Sequence, residues 1–360
     1  MTEHSPIGVV VIGRNEGERL KRCLSSIQSQ HSGPVIYVDS GSTDGSADYA
    51  RSVGVFVVDL DISIPFTMAR GRNAGFAYLV EHYPDCQFVQ FVDGDCEISR
   101  AWIEIGLQFL QDRQLYGGVC GNREERFPEA TVYNQLINME WQGSEGEVDA
   151  CGGDALYRIE SVKAAGCFNE SMIAGEEGDL CLRIRMQGFR LMRLDSPMTI
   201  HDANMQHFSQ WWKRSVRCGH AYAHGYDLHR EKAAGTEKNY KKRPLLSSLL
   251  YGFVLPGLLV LSIFMVVGGS SGLGQLLLLS LVILALYIRV ANKAAESKSD
   301  SGNSIGERFL YAGFIVLGKL PEAQGVLHYY LNKALGKTSK IIEYKIDNKQ
   351  DQGSHSSLKD

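Results

Sequence analysis

The chain has 360 residues, of which 44% are hydrophobic and 22% are charged, and its formal net charge is −4. This length allows one or two domains with a substantial core, and the nearly balanced charge gives no electrostatic argument for binding to nucleic acid. The eight cysteines are scattered without a Cys-x-x-Cys pair, which argues against a zinc site or a disulfide framework and fits a reducing compartment.

Roughly residues 1 to 230 alternate between strand patterns and helix patterns. Short apolar runs predict four strands, at Ile7–Ile12, Pro34–Asp39, Val53–Leu60 and Phe88–Val92. After the first strand, apolar residues recur at helical spacing, namely Leu20, Cys23, Leu24 and Ile27, and a second helix is predicted over Met68–Tyr83. Apolar strands separated by helices predict an α/β fold with a mainly parallel sheet between layers of helices.

Polar residues collect where these strands end. Asn15 and Glu16 follow the first strand, and Asp39 opens the loop "DSGSTDGS", which also contains Asp44. The fourth strand runs into "FVDGDCEI", which carries Asp93 and Asp95. Each of these residues alone could serve a turn or a helix cap. Together they are expected at one edge of the sheet, where parallel sheets bind ligands.

The common phosphate-binding loops are missing from these strand ends. The sequence has no Gly-x-x-x-x-Gly-Lys-Ser/Thr loop, and no Gly-x-Gly-x-x-Gly follows the first strand. A phosphorylated ligand at this edge would therefore need a metal ion.

The stretch "GEEGDLCLRI" places Glu176, Glu177 and Asp179 at the start of a predicted helix. Acidic residues in a first helical turn complement the helix dipole, which is the simplest interpretation. A carboxylate at such a position can also act as a general base.

The composition changes near residue 244. Leu245–Val267 is an uncharged run of 23 residues, and Gly272–Ile288 is a second uncharged run after a Gly/Ser turn; a pair of this kind predicts a transmembrane hairpin. Basic residues flank both outer ends, which places those ends in the cytoplasm. The later run Phe309–Gly318 is too short to span, and an interfacial or a re-entrant segment is expected there.

These patterns predict four regions. They are a catalytic domain at 1–230, a basic juxtamembrane linker at 231–244, a transmembrane hairpin at 245–291, and a cytoplasmic tail at 292–360 with an interfacial amphipathic segment at 305–335.

Six motifs occur in an order that resembles glycosyltransferase family 2, over about residues 6 to 225. They are "VVVIGRNEGERLKRCLSSI", "VDSGSTDGS", "ARGRNAG", "FVDGDCEI", "DACGGDALYR" and "GCFNESMIAGEEGDLCLRIRMQGFRL". The resemblance implies the GT-A nucleotide-diphospho-sugar transferase fold with C-terminal transmembrane helices. It also implies these donor-side residues: Asn15, Glu16, Asp39, Asp44, Arg72 and Asp93.

The resemblance further implies a divalent cation, Mg²⁺ or Mn²⁺, held by Asp95. A histidine after the catalytic helix often completes this site in the family, and His201 stands in that place. His207, His220 and His224 remain competing candidates.

Two departures from the family pattern concern the catalytic base and the product. The family has Glu-Asp where this chain has Glu176-Glu177, so Glu177 takes the place of the base and Asp179 is the alternative. Members that polymerise carry Gln-x-x-Arg-Trp, whereas this chain has Lys213 and Arg214 at the last two positions. That stretch is interpreted instead as a helix on the membrane surface, with Trp211, Trp212, Arg214 and Arg217 at the interface.

The expected function is an inverting, metal-dependent glycosyltransferase at the cytoplasmic face of the inner membrane, with its catalytic domain in the cytosol and several membrane passes. It would move one sugar from a nucleotide-diphosphate sugar, a UDP-sugar first of all, to a lipid-linked or cell-envelope glycan acceptor in polysaccharide biosynthesis. The alternatives are transfer to polyprenyl phosphate and a non-catalytic, membrane-tethered sugar-nucleotide binding protein. A sugar nucleotidyltransferase is disfavoured, because it would need a Gly-rich N-terminal loop with Arg and Lys.

Overall fold

The structure is a computed structural model, and it describes residues 5–231, 239–269, 272–299, 302–337, 339 and 342. These residues form two compact units that divide between Gln206 and His207. The sequence-based boundary near residue 230 falls at the end of the first helix of the second unit. Half of the predicted linker (residues 232–238) and the chain from residue 343 onward lie outside the described residues.

The first unit contains a nine-stranded sheet with helices on both faces. The strands are β1 (Ile7–Gly13), β2 (Val35–Asp39), β3 (Phe56–Asp59), β4 (Phe88–Asp93), β5 (Cys96–Ile98), β6 (Tyr116–Glu125), β7 (Gly146–Glu147), β8 (Ala155–Arg158) and β9 (Arg190–His201). The helices are α1 (Glu18–Gln28), α2 (Ser46–Ser52), α3 (Met68–His82), α4 (Trp102–Asp112), α5 (Val132–Trp141), α6 (Ile159–Ala164) and α7 (Glu176–Met186). A 3₁₀ helix spans Pro128–Ala130.

The sheet is mixed, with the order β3-β2-β1-β4-β8-β6-β9-β5, and β7 pairs with β9. The first four strands are parallel, as the alternating pattern predicts. Beyond β4 the sheet is mixed, because β8 pairs antiparallel with both β4 and β6. The pair β6·β9 is again parallel, and β5 and β7 join β9 antiparallel.

The register of the parallel strands brings their acidic ends together. Gly13 of β1 lies opposite Asp39 of β2, and Ile12 lies opposite Asp93 of β4. Asp39 in turn lies opposite Asp59 of β3. The candidate ligand-binding residues therefore share the carboxyl edge of this half of the sheet.

The core explains why these strands read as continuous apolar runs. The residues of β1 from Ile7 to Ile12 are buried, because helices cover both faces of the sheet. The four predicted apolar positions of α1 (Leu20, Cys23, Leu24 and Ile27) are all fully buried. On the other face α3 approaches β1 closely at Gly75, where an added Cβ would lie 2.4 Å from Val10 Cγ1.

The second unit is helical in its described residues. It contains α8 (Phe208–His229), α9 (Lys242–Leu249), a π-helical turn (Leu250–Val254), α10 (Leu255–Val267), α11 (Leu273–Glu296) and α12 (Ile305–Ala334). The segment predicted at 305–335 is one 30-residue helix with Pro321 inside it.

Two helical segments are long and apolar enough to cross a membrane, by length and composition. They are Lys242–Val267, which combines α9, the π turn and α10, and Leu273–Glu296, which is α11. Only 6% of the most apolar window of each is buried, so nearly all of this apolar surface is left uncovered by the chain itself. This pair fits a membrane anchor.

The aromatic residues of α8 do not lie as predicted. Trp211 is buried, and its ring packs edge-on against Phe314 of α12 with 5.1 Å between the ring centroids. The Trp212 indole N–H donates to Oε1 of Gln324, which is also on α12. The prediction of interfacial tryptophans is therefore wrong for Trp211, because α12 takes the place assigned to lipid.

Glycines let α8 and α12 pack backbone against backbone. An added Cβ at Gly325 would lie 2.0 Å from Val216 O, and one at Gly219 would lie 1.9 Å from Glu322 O. A side chain at either position would force the two helices apart.

Gly325→Ala should destabilise the helical unit, because the new methyl group meets backbone that cannot move aside locally. Overpacking of this kind typically costs about 1–3 kcal/mol, which should lower the thermal midpoint of the full chain in detergent. Gly313→Ala on the same helix is the matched control, since its Cβ would meet nothing within 4 Å. Equal midpoints for the two variants would contradict the close helix contact.

Candidate active site

Asp39 organises the loop that follows β2. Its Oδ2 accepts hydrogen bonds from the backbone N–H groups of Gly41 and Ser42, at 2.9 and 2.8 Å. Its Oδ1 accepts from the Tyr37 hydroxyl at 3.0 Å. Asp39 is nearly fully buried, so one of its functions is to hold the loop in shape.

Asn15 links this loop to the end of β1. Its Oδ1 accepts from the backbone N–H of Thr43 at 2.8 Å, and its own N–H donates to Ser42 Oγ at 2.9 Å. Asn15 has a φ of 55°, a left-handed conformation that asparagine tolerates well. Asp44 accepts from the backbone N–H of Ser46 at the start of α2.

A pocket of about 480 Å³ lies beside this loop. Its lining residues are Asp39, Gly41, Ser42, Thr43, Gly45, Ala47, Asp48, Arg51, Asp59, Leu60 and Ile62. The pocket is open on one side, is lined by polar and apolar groups, and has a volume suited to a small ligand.

Glu16 lies next to the turn after β4. It is mostly buried, and its carboxylate forms an ion pair with Arg19 at 2.9 Å. An added Cβ at Gly94 would lie 3.1 Å from Ile12 O and 3.3 Å from Glu16 Cγ, so a side chain in the turn between Asp93 and Asp95 would be tightly packed.

Arg72 of α3 is the centre of the charged residues at this edge. Its side chain is 1% exposed. One guanidinium nitrogen donates to Glu176 Oε1 at 2.8 Å, the other donates to Asp93 Oδ1 at 2.7 Å, and Glu177 Oε1 lies 3.9 Å away. Burial works against the charge of Arg72, but Asp93, Glu177 and Glu176 outweigh it and raise its pKa.

The three acidic residues at the start of α7 have different environments. Glu176 is fully buried against Arg72. Asp179 is also buried, and its Oδ2 accepts two hydrogen bonds from Arg183 one turn later, at 2.9 and 2.6 Å. The side chain of Glu177 is 24% exposed, and its Oε1 would lie 3.4 Å from a Cβ added at Gly153.

Asp154 and Arg123 form a second charged layer that the sequence did not single out. Asp154 is completely buried; its Oδ1 accepts from the backbone N–H of Asp93 at 3.0 Å, and its Oδ2 accepts from Arg123 and from the Thr199 hydroxyl. Burial alone would raise the pKa of Asp154, but Arg123 and the Asp93 N–H lower it overall. Asp154, directly before β8, thus links Asp93 of β4 to Arg123 of β6 and Thr199 of β9.

Asp95 and His201 meet across the β5·β9 pair, where Cys96 lies opposite His201. Asp95 Oδ2 is 3.2 Å from His201 Nε2, close to the roughly 3 Å between neighbouring ligands of one small divalent cation. The carboxylate oxygen suits either Mg²⁺ or Mn²⁺, and the imidazole nitrogen suits a transition metal ion such as Mn²⁺ better than Mg²⁺, so these residues fit a cation site. The Cys96 thiol lies close to the ligand atoms of Asp95 and His201, but burial raises the pKa of this thiol well above its ordinary value.

The profile described as Glycosyl transferase family 2 matches residues 8–167. Residues 8–167 belong to glycosyltransferase family 2. Glycosyltransferase AglE of Haloferax volcanii is 26% identical over 232 residues, which cover 61% of this chain and 74% of that protein. Pre-mycofactocin glycosyltransferase of Mycobacterium tuberculosis is 25% identical over 366 residues, which cover 92% of this chain and 66% of the relative.

Solved structures show the same fold. The mannosyltransferase PcManGT from Pyrobaculum calidifontis, in complex with GDP-Man and Mn²⁺, has a TM-score of 0.58 at 16% identity, covering 92% of this chain and 89% of that chain. S. aureus TarS 1-349 in complex with UDP-GlcNAc has a TM-score of 0.50 at 13% identity, covering 92% of both chains. The GT-A fold is confirmed, and the chain is a glycosyltransferase.

The fold of the glycosyltransferase separates the predicted site residues into three groups. Asn15, Asp39 and Asp44 shape the pocket loop, Arg72 joins Asp93 to the start of α7, and Asp95 faces His201. Asp179 belongs to none of these groups, because its carboxylate forms an ion pair with Arg183. The motif "DACGGDALYR" contains Asp154, so its buried acid was visible in the sequence, whereas no sequence pattern indicated Arg123.

The affinity for Mn²⁺ should rise with pH. Burial lowers the pKa of His201, but Asp95 and Glu125 outweigh burial and raise it above the ordinary 6.5. Below that pKa a proton occupies the nitrogen that the cation needs, so affinity should gain up to about tenfold per pH unit and then level off. Mn²⁺ titrations at several pH values measure this, and His201→Gln should flatten the profile. A flat profile for the wild type would contradict a role for His201 as a ligand.

Proposed function

We propose that this glycosyltransferase is inverting and metal-dependent, and that it moves one sugar from a nucleotide-diphosphate sugar to a lipid-linked or cell-envelope glycan acceptor. The observation that carries this proposal is the position of Glu177. Among the three acids of the first turn of α7, Glu177 alone is partly exposed, and it lies beside the Arg72–Asp93 pair at the ligand-binding edge of the sheet.

The proposed reaction is a single displacement at the anomeric carbon. The acceptor hydroxyl gives its proton to Glu177 while its oxygen forms the new bond to that carbon. The bond from the carbon to the donor diphosphate breaks, and nucleoside diphosphate leaves with the electron pair. One displacement inverts the anomeric configuration, and the carboxylate of Glu177 serves as the general base.

The contacts of the two other acids support Glu177 over them. Asp179 Oδ2 accepts two hydrogen bonds from Arg183, which hold this carboxylate against its own helix. Glu176 is fully buried, and its carboxylate forms an ion pair with Arg72. Both positions suit residues that fix the helix rather than residues that contact the acceptor.

The donor is proposed to lie along the strand ends. Its nucleoside would enter the pocket beside Asp39, and Asp93 would approach the ribose. A UDP-sugar remains the first candidate; the structural neighbours include one complex with GDP-Man and one with UDP-GlcNAc, and both are nucleotide sugars. Arg72 is too buried for a direct donor contact, so we assign it to holding Asp93 in place.

Asp95 and His201 would hold the divalent cation. When bound, such a cation neutralises the negative charge that builds on the leaving diphosphate. The buried pair Asp154–Arg123 fixes the end of β4, and with it the start of the turn that carries Asp95.

The acceptor is proposed to be lipid-linked because the chain carries a candidate membrane anchor. Lys242 and Arg243 are exposed at the start of the first apolar segment, and Arg289 and Lys293 are exposed near the end of the second. Under the positive-inside rule both ends face the cytoplasm, which gives a multi-pass protein of the inner membrane with its catalytic unit in the cytosol. Transfer to polyprenyl phosphate itself is the alternative within this proposal.

Glu177→Gln should lower sugar transfer by about a hundred- to ten-thousand-fold, because the amide cannot accept the proton. Nucleotide binding should stay near normal, since the pocket beside Asp39 is built from other residues. Transfer is measured with a polyprenyl-diphosphate-linked sugar and with polyprenyl phosphate, which also separates the two acceptor classes.

Asp179→Asn is the matched control for this experiment. It changes a buried acid on the same helix, so it should reduce thermal stability more than it reduces turnover of the folded protein. An active Glu177→Gln variant beside an inactive, folded Asp179→Asn variant would move the base to Asp179.

A further inference from the structure

We infer that Glu125 is a positioning residue that orients His201 for the divalent cation. This inference rests on the proposed function, because it concerns the same cation site. It assigns a task to a buried carboxylate that neither the sequence motifs nor the proposed reaction uses.

Two carboxylates flank the imidazole ring of His201, one at each nitrogen. Asp95 Oδ2 lies 3.2 Å from Nε2, and Glu125 Oε2 lies 3.5 Å from Nδ1. The parallel pairing of β6 with β9 places Glu125 directly opposite His201 in the register. The arrangement therefore follows from the sheet and not from a chance side-chain rotamer.

Backbone and side-chain donors hold Glu125 rigidly. Its Oε1 accepts from Asn134 Nδ2 and from the backbone N–H of Phe127, both at 3.3 Å. Its Oε2 accepts from the backbone N–H of Ala203 at 3.1 Å. The side chain of Glu125 has no exposure to solvent, and in the part of the chain that the structure describes its ion pair is with His201.

His201 Nδ1 is buried and has no hydrogen-bond partner among the described residues, and Glu125 Oε2 is the carboxylate oxygen beside it. A proton held on Nδ1 by this carboxylate would leave Nε2 as the ligand atom. Metal-binding histidines commonly donate their second N–H to a carboxylate in this way, and this contact fixes the tautomer and the ring orientation. The rings of Trp141 and His201 pack in a T-shaped arrangement, with 4.8 Å between the ring centroids and 86° between the ring planes. This contact restrains rotation of the His201 ring.

The competing interpretation is that Glu125 only shapes the neighbouring loops, since it accepts the backbone N–H groups of Phe127 and Ala203. A loop-shaping residue would affect stability without acting through His201. A positioning residue would lose its effect on the cation once His201 is removed.

The experiment is a Mn²⁺ titration of the full chain in detergent, followed by the electron paramagnetic resonance signal of free Mn²⁺. Glu125→Gln keeps the size of the side chain but removes its charge, and it should weaken Mn²⁺ binding about 10- to 100-fold. Glu124→Gln is the matched control, because Glu124 is the exposed neighbour on the same strand, and it should bind Mn²⁺ like the wild type.

The double variant Glu125→Gln/His201→Gln decides between the two interpretations. If Glu125 acts through His201, the double variant should bind Mn²⁺ within about twofold of His201→Gln alone. The same 10- to 100-fold loss in the His201→Gln background would overturn the inference, as would wild-type affinity in Glu125→Gln. If Glu125→Gln does not fold, Glu125→Asp is measured instead: it keeps the charge but withdraws it from Nδ1, and unchanged Mn²⁺ affinity would overturn the inference.

The same titration distinguishes failure of the inference from failure of the proposed function. A wild type that binds no Mn²⁺, with or without UDP, would overturn the cation site itself. A wild type that binds Mn²⁺ and loses nothing in Glu125→Gln would overturn the positioning role and leave the cation site in place.

Discussion

The ligand-binding edge of the sheet in this glycosyltransferase depends on one buried guanidinium, that of Arg72. Arg72 has almost no contact with solvent, yet it carries a full positive charge that must be neutralised inside the protein. Asp93 from β4 and Glu176 from α7 supply that neutralisation at 2.7 and 2.8 Å. Removing one partner of a buried ion pair typically costs about 3–5 kcal/mol, so the three elements are strongly held together.

This constraint explains how residues far apart in sequence form one site. Arg72 and Glu176 are 104 positions apart, and their contact fixes the start of α7 against the end of β4. Glu177 follows Glu176 and is thereby held close to the ligand-binding edge, with its Oε1 3.9 Å from the Arg72 guanidinium and its side chain 24% exposed. The Arg72 guanidinium thus binds the buried carboxylate of Glu176 and leaves the carboxylate of Glu177 partly exposed.

The sequence was sufficient to predict the N-terminal half of the fold, because its signals are local. The buried runs of β1, β2 and β4 and the helical spacing of Leu20 and Ile27 follow directly from hydrophobic periodicity. The mixed half of the sheet could not be predicted in this way. Its strands β6, β8 and β9 pair over long sequence distances, and the sequence pattern does not reveal which strand lies beside which.

The same limit applies to the site. Asp93, Asp95 and Glu177 stand in recognisable motifs, whereas Arg123 and Glu125 matter only because β6 lies beside β9. In the helical unit, the burial of Trp211 depends on α12, whose glycines admit the α8 backbone at close range. Residues whose function comes from a partner strand or helix carry no local pattern.

The most direct test of the central claim is the rate of sugar transfer by Arg72→Lys, measured on protein shown by circular dichroism to be folded. Lysine keeps the charge, but its single ammonium group cannot reproduce the planar fork that bonds Asp93 and Glu176 with separate nitrogens. A displaced Asp93 and a released α7 should cost about a hundredfold or more in transfer rate. A folded Arg72→Lys variant with near wild-type transfer would show that the site does not depend on this guanidinium.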